Sequence, residues 1–177
     1  MSTALGEAAA AAGEFSDAER QRVLAFLFAE AKYADESRYA EWEGLVDDGE
    51  MLYWVPIAHE RPHPDTTASL IADNRVRLSK RIAQLKTGRR LAQQPVSPMR
   101  RHLANIELER ISGAEVRAVC NFVIHEFRAQ SVHRVHIWAG RYEYRLRDRG
   151  AHGLRMFYKR VDLIDASAPI PSLAFLI

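Results

Sequence analysis

Seven histidines, one cysteine and a few paired carboxylates are the side chains best suited to hold a metal or move a proton. His59 and His63 stand four apart, the spacing that sets two ligands on one helical face, but Pro62 and Pro64 deny that segment a helix. His133 and His136 differ in parity on or beside a strand, so they point to opposite faces, and no two-histidine, one-carboxylate iron site is evident. Cys120 is alone, which excludes an intrachain disulfide and a thiolate zinc or iron–sulfur cage built from one chain. His125 falls on a mixed strand face and reads as a hydrogen-bonded or interface histidine, with general base as its chemical alternative. Asp47 and Asp48 are adjacent carboxylates at a helix end, where solvated loop residues are expected. Trp54, Trp138, Tyr142 and Tyr144 suit a pocket lining or, as aromatics in strands, core or interface anchors. Nucleotide-binding glycine motifs and the G-x-S-x-G nucleophile motif are missing.

The elements that carry these residues change period halfway along the chain. Ser16 with Glu19 makes a capping box, and Val23, Leu24, Phe26, Leu27 and Ala31 then form an apolar stripe at helical spacing. A second helix is expected from about Asp35, carrying Tyr39, Trp42, Leu45 and Val46, with Gly49 as its left-handed stop. Met51 to Val55 reads as a strand ending at Pro56, His59 to Asp65 as a loop, and Ala68 to Ile71 as a short strand. Asp73 is the expected cap of a third helix with Leu78, Ile82 and Leu85 on its buried face and Gly88 beyond its end. Gln93 to Met99, with Pro95 and Pro98, is a linker loop.

From Arg101 the period is two. Four long strands are expected at His102–Ile111, Glu115–Arg128, Arg134–Arg147 and Leu154–Asp165, forming an antiparallel meander. In the second, Val116, Ala118, Cys120, Phe122 and Ile124 share a face; in the third, His136, Trp138, Tyr142 and Tyr144 do. Both faces of the sheet carry apolar residues, so one should meet the helices and the other something outside the chain. Helices followed by a strongly curved sheet make an α+β layout, with the sheet wrapped round its helices as a cone.

A length of 177 residues fits one domain, expected over residues 15–177 behind a flexible tail, 1–14. The Ala-rich start lacks a basic region and carries Glu7, so it makes a poor signal peptide, and no apolar run approaches the roughly 20 residues of a membrane span. A soluble, cytoplasmic protein is expected. The net charge is +2, and the basic stretch from Arg75 to Arg101 lacks the aromatic interleaving of a nucleic-acid surface. It is read as a solvated helix face with salt bridges, and no nucleic-acid or membrane partner is expected.

Several segments resemble a known family. Lys32 to Trp42, with Asp35, Tyr39 and Trp42 in place and Ala34 where leucine is common, is similar to the E-x-x-x-L-D-x-x-x-Y-x-x-W opening of the small (beta) subunits of aromatic-ring-hydroxylating dioxygenases. Tyr53-Trp54-Val55-Pro56 matches their Y-W-V-P, and Arg101-His102-Leu103 followed by Asn105 resembles their R-H-x-x-x-N. Lys159 to Asp165 and Ser172 to Ile177 look like their K-K-V-x-L-I-(N/D) and their closing L-x-x-(L/F)-x-F-L-I. The resemblance runs from about Phe15 to the last residue.

It implies a cone-shaped, nuclear-transport-factor-like fold, with helices packed in a mostly antiparallel mixed sheet. It also implies a non-catalytic subunit without cofactor, assembled with a large (alpha) subunit, typically three of each. The large subunit would carry a Rieske [2Fe-2S] cluster and a mononuclear Fe(II). Dioxygen would add across an aromatic ring with electrons from NAD(P)H through a reductase and in some systems a ferredoxin. Trp138, Tyr142, Tyr144, Arg117 and Arg145 are expected in part at subunit contacts, because obligate interfaces use aromatic and arginine anchors. Cone folds also host stand-alone isomerases and dehydratases. In that alternative an open cone mouth holds a small apolar substrate, with His125 or an aspartate as base and a tyrosine as oxyanion donor.

Overall fold

The computed structural model describes residues 14–57, 63–89, 94–129 and 134–177. The expectations placed on the tail before residue 14, on His59 and on His133 lie outside the described residues. Helix α1 runs from Asp17 to Asp35. Its first turn is closed by the expected capping box: the Ser16 hydroxyl accepts from Glu19 N at 3.3 Å, and the Glu19 carboxylate accepts from Ser16 N at 2.9 Å. These bonds and Arg110 hold the exposed Glu19 carboxyl down at about 2.

The second helix is shorter than its periodicity suggests. Helix α2 covers only Tyr39–Glu43, and its C-cap is Gly44 in a right-handed conformation, not Gly49. Val46 instead forms a parallel bridge to Met156, so the chain leaves the helix early to join the sheet. Strand β1 (Leu52–Pro56) and strand β2 (Ser69–Asn74) pair antiparallel. Helix α3 (Arg75–Lys86) follows, capped by the Asn74 side chain on Arg77 N at 3.0 Å rather than by Asp73, which stays in β2. Leu78, Ile82 and Leu85 are its buried residues, as spaced, and Gly88 beyond its end takes φ +67.

Strands β3 (Met99–Arg110), β4 (Glu115–Arg128), β5 (Arg134–Asp148) and β6 (Leu154–Leu163) form the meander, with a 3-10 turn at Gly150–His152. The six-stranded sheet has the order β2-β1-β6-β5-β4-β3, and among the described residues β1–β6 is the one parallel pair of strands, continued by the Val46–Met156 bridge. Bulges in the β3–β4 and β5–β6 ladders, with a third irregularity between β1 and β2, sharpen its curl. Asn105 and Ile106 both face Cys120 in the β3–β4 ladder, with Asn105 at φ 51, and Phe157 is the extra residue of β6 against β5. Where β5 meets β6, Gly140 lies so close that a Cβ there would come within 2.0 Å of the Asp162 carbonyl oxygen. The curled sheet encloses α1, and even-numbered residues of β4 and β5 point inward to the core. No helix among the described residues is long and apolar enough to cross a membrane.

Candidate functional site

Inside the cone two facing elements, α1 and β6, each bring a charge into the apolar core. On α1 the buried face reads Val23, Phe26, Leu27, Glu30, Ala31 and Ala34, so a carboxylate stands in the apolar stripe. On β6 the inward positions beyond the bulge are Lys159, Val161 and Leu163, so an ammonium stands in the apolar alternation. The two meet: Lys159 Nζ donates to Glu30 Oε1 at 2.8 Å, and both side chains are 0% exposed. Trp42 Nε1 donates to Glu30 Oε1 at 2.7 Å and the Tyr144 hydroxyl to Glu30 Oε2 at 3.2 Å. The ammonium lies 4.5 Å from the ring centre of Tyr142, with Tyr144, Tyr53 and Trp42 at 5.4–6.0 Å.

Burial works against both charges. It would push the Glu30 carboxyl up, but Lys159, Arg101 and the Trp42 N–H outweigh it and hold the group below its ordinary value. Burial pulls the Lys159 ammonium down, Glu30 only partly restores it, and it settles at about 8. The pair is therefore ionised at neutral pH, as a buried pair with satisfied hydrogen bonds must be. Cys120, on the same face, is pushed up to about 12 by burial and stays a thiol.

A second buried pair closes the cone on the β3 side. Arg101 donates from Nε to Asp35 Oδ1 at 2.7 Å and from Nη2 to the Leu176 carbonyl at 2.9 Å. The last residues of the sequence enter the interior beside it. Phe175, Leu176 and Ile177 are 1%, 0% and 0% exposed. Phe175 packs edge-on against Trp138 at 5.7 Å, and the Tyr53 hydroxyl donates to Ile177 O at 2.7 Å while accepting from Ile177 N at 2.9 Å. Side chains and this segment thus pack the interior of the cone.

The residues singled out from sequence divide between the two faces. Trp138, Tyr142 and Tyr144 are core residues of this chain, 1%, 0% and 0% exposed. Their contacts are made inside it, because even positions of β5 point into the cone. Trp138 Nε1 donates to Glu126 Oε2 at 2.9 Å, and Tyr142 stacks on Phe122 at 3.8 Å. Arg117 and Arg145 lie on the outer face, where Glu143 bridges them at 3.0 and 3.6 Å. Trp54 is also outward, buried under Arg160 and bonded to Ser69. His125 is exposed on the outer face, edge-on to His102, and so stands across the sheet from the interior tyrosines. Asp47 is buried, contrary to its expected solvation, because Gly49 N and Arg149 both donate to it; Asp48 beside it is exposed. Much of the basic stretch is paired within the chain: Arg75 and Lys86 with Glu43, Arg81 with Asp73, Arg101 with Asp35.

On the outer face beyond the charged ladder, Phe127, Val135, Ile137 and Ile164 are 38–74% exposed. Phe127 pairs with Val135, and His125 with Ile137, across β4–β5, while Ile164 N bonds to Ala139 O, so the four gather at one end of the sheet. Among the described residues no three His, Cys, Asp or Glu side chains converge as a metal site would need.

This geometry, an antiparallel sheet curled round helices, is the cone fold shared by NTF2-like proteins, one of which, from Novosphingobium aromaticivorans, matches with a TM-score of 0.55 over 84% of each chain at 16% identity. The family model for the ring hydroxylating beta subunit matches residues 29–168, and the chain belongs to that family. It is 26% identical over 113 residues to the benzoate 1,2-dioxygenase subunit beta of Acinetobacter baylyi, a match covering 61% of this chain and 66% of that subunit. Among solved structures, the benzoate 1,2-dioxygenase beta subunit of Burkholderia mallei superposes with a TM-score of 0.70, at 23% identity, over 93% of this chain and 99% of the other. Naphthalene 1,2-dioxygenase with indole in its active site superposes at 0.76, with 15% identity, over 93% and 89%.

Proposed function

We propose that this chain is the small, non-catalytic subunit of a Rieske non-heme iron dioxygenase that cis-dihydroxylates an aromatic compound. Its role is to support a large subunit carrying the [2Fe-2S] cluster and the mononuclear Fe(II), in an assembly of three large and three small subunits in the cytoplasm. Electrons come from NAD(P)H through a reductase, with or without a ferredoxin. The family membership supports this reading. The donor set of this chain fits neither iron centre: Cys120 is the lone cysteine, and the buried Glu30 is committed to Lys159.

The observation that carries the accessory role is the filled cone. A dehydratase or isomerase needs an enclosed space with a base and a donor converging on it. Here His125 is on the far side of the sheet, and the interior is occupied by Lys159, Glu30, four aromatic rings and Phe175–Ile177. The large subunit is assigned to the outer sheet face, where Phe127, Val135, Ile137 and Ile164 form an exposed apolar cluster at one end of the β4–β5 ladder and Arg117 and Arg145 lie toward the other.

Affinity capture of the chain at native expression, with mass, iron content and visible spectrum read on the eluate, tests the assignment. A reddish-brown complex with a stoichiometric larger partner is expected. A colourless, iron-free species without a partner overturns it and returns the chain to the stand-alone reading.

A further inference from the structure

We propose that the cone retains a ligand pocket whose present occupant is the segment Phe175–Ile177, and that the vacated pocket takes a small aromatic compound bearing a carbonyl-type hydrogen-bond acceptor. The ligand class follows from what the segment itself offers. Phe175 presents an aromatic ring to the edge of Trp138. Leu176 presents a carbonyl oxygen to Arg101 Nη2, and Ile177 a main-chain oxygen to the Tyr53 hydroxyl. Ring and acceptor, with an N–H donor from Ile177 to the Tyr53 hydroxyl beside them, are the features these residues read.

The segment also leaves the pocket incompletely served. Arg101 Nη1 and the Tyr142 hydroxyl are both buried and, among the described residues, have no hydrogen-bond partner. A buried donor without an acceptor carries the full cost of its lost hydration. A ligand with a free acceptor lone pair, or one admitting a water beside it, satisfies what a peptide backbone in fixed geometry does not. The occupant also lies outside the sheet ladder. Residues beyond Ala168 lie in no helix or strand, and Ser172 to Ala174 are exposed or half-buried just before the plug. A segment outside the sheet ladder opens at lower cost than a strand.

The test uses a chain ending at Ala174, with benzamide as the probe that has both ring and acceptor, toluene as the ring alone, and thermal unfolding as the readout. At about 3 mM of each probe, benzamide is expected to raise Tm of the shortened chain by about 2 °C or more, toluene by clearly less, and neither to move the full chain. A folded shortened chain that ignores benzamide, that responds equally to toluene, or whose response the full chain shares overturns the proposal. Should the shortened chain not fold, full-length Phe175→Ala vacates only the ring position and is read with the same two probes by the same criteria. Failure of that variant to fold as well makes Phe175 an inseparable part of the core and equally overturns it.

Discussion

The two faces of the sheet carry the same chemistry to different ends. Inside, Glu30–Lys159 and Asp35–Arg101 join opposite charges at 2.8 and 2.7 Å with exposures between 0% and 7%. Outside, Glu109, Arg117, Glu143 and Arg145 form a ladder at 3.0–3.6 Å with exposures of 17–59%. Distances barely distinguish the two sets; hydration does. Water screens the outer ladder and replaces any member that is lost, whereas the inner pairs have only each other and a few fixed hydrogen-bond partners inside the chain. The inner face is therefore built for a unique fold, and the outer face can exchange partners at little cost, as the proposed subunit contact requires.

The sharpest way to break this contrast is to remove one inner partner. Glu30→Ala leaves Lys159 buried and unpaired and is expected to cost about 3–5 kcal/mol in denaturant unfolding. The double variant Glu30→Met with Lys159→Met should recover most of that loss, since it removes both charges together. Recovery would show that the cost lay in the orphaned ammonium.

Adjacent positions on β5 offer the next comparison. Trp138→Ala opens a core cavity and should cost about 3–5 kcal/mol. Ile137→Asp, one residue away on the outer face, should change stability by no more than about 0.5 kcal/mol while reducing capture of the large subunit. Equal retention of the partner by Ile137→Asp and the parent chain would remove the outer face from the interface.

Alkaline pH sharpens the inner side further. Lys159 titrates at about 8 in the folded chain against the ordinary 10.5, so between these values the unfolded chain holds a proton that the folded one has released. That group alone makes stability rise with pH across the window. Cys120, raised from 9.0 to about 12, and the interior tyrosines, also raised, act in the opposite direction above about pH 9. The slope of unfolding free energy between pH 8 and 10.5 should accordingly be more positive in the parent chain than in Lys159→Met. The smallest effect belongs to the ladder: Arg145→Ala, half-exposed, is expected to change stability by less than about 1 kcal/mol, and less still at high salt.

Local signals made much of the fold legible. The capping box, the apolar faces of α1 and α3, and the alternation in β4 and β5 all stand as spaced, because each rests on neighbours a few residues apart. The early end of α2 did not show, since the Val46–Met156 bridge that competes with the helix comes from 110 residues away. The inner ion pair left a trace that went unread: Glu30 and Lys159 each occupy an apolar position in an otherwise apolar stripe, and a charge in that register needs a buried partner.

The sequence by itself determined the elements, the inward set of β5 with Trp138, Tyr142 and Tyr144, and the family to which the chain belongs. Only the tertiary structure decided that this set faces the chain's own helix, that Glu30 meets Lys159 across 129 residues, and that Phe175–Ile177 fill the cone. Periodicity records which residues share a face, but what that face meets depends on how the bulged sheet curls, and that is a property of contacts distant in sequence.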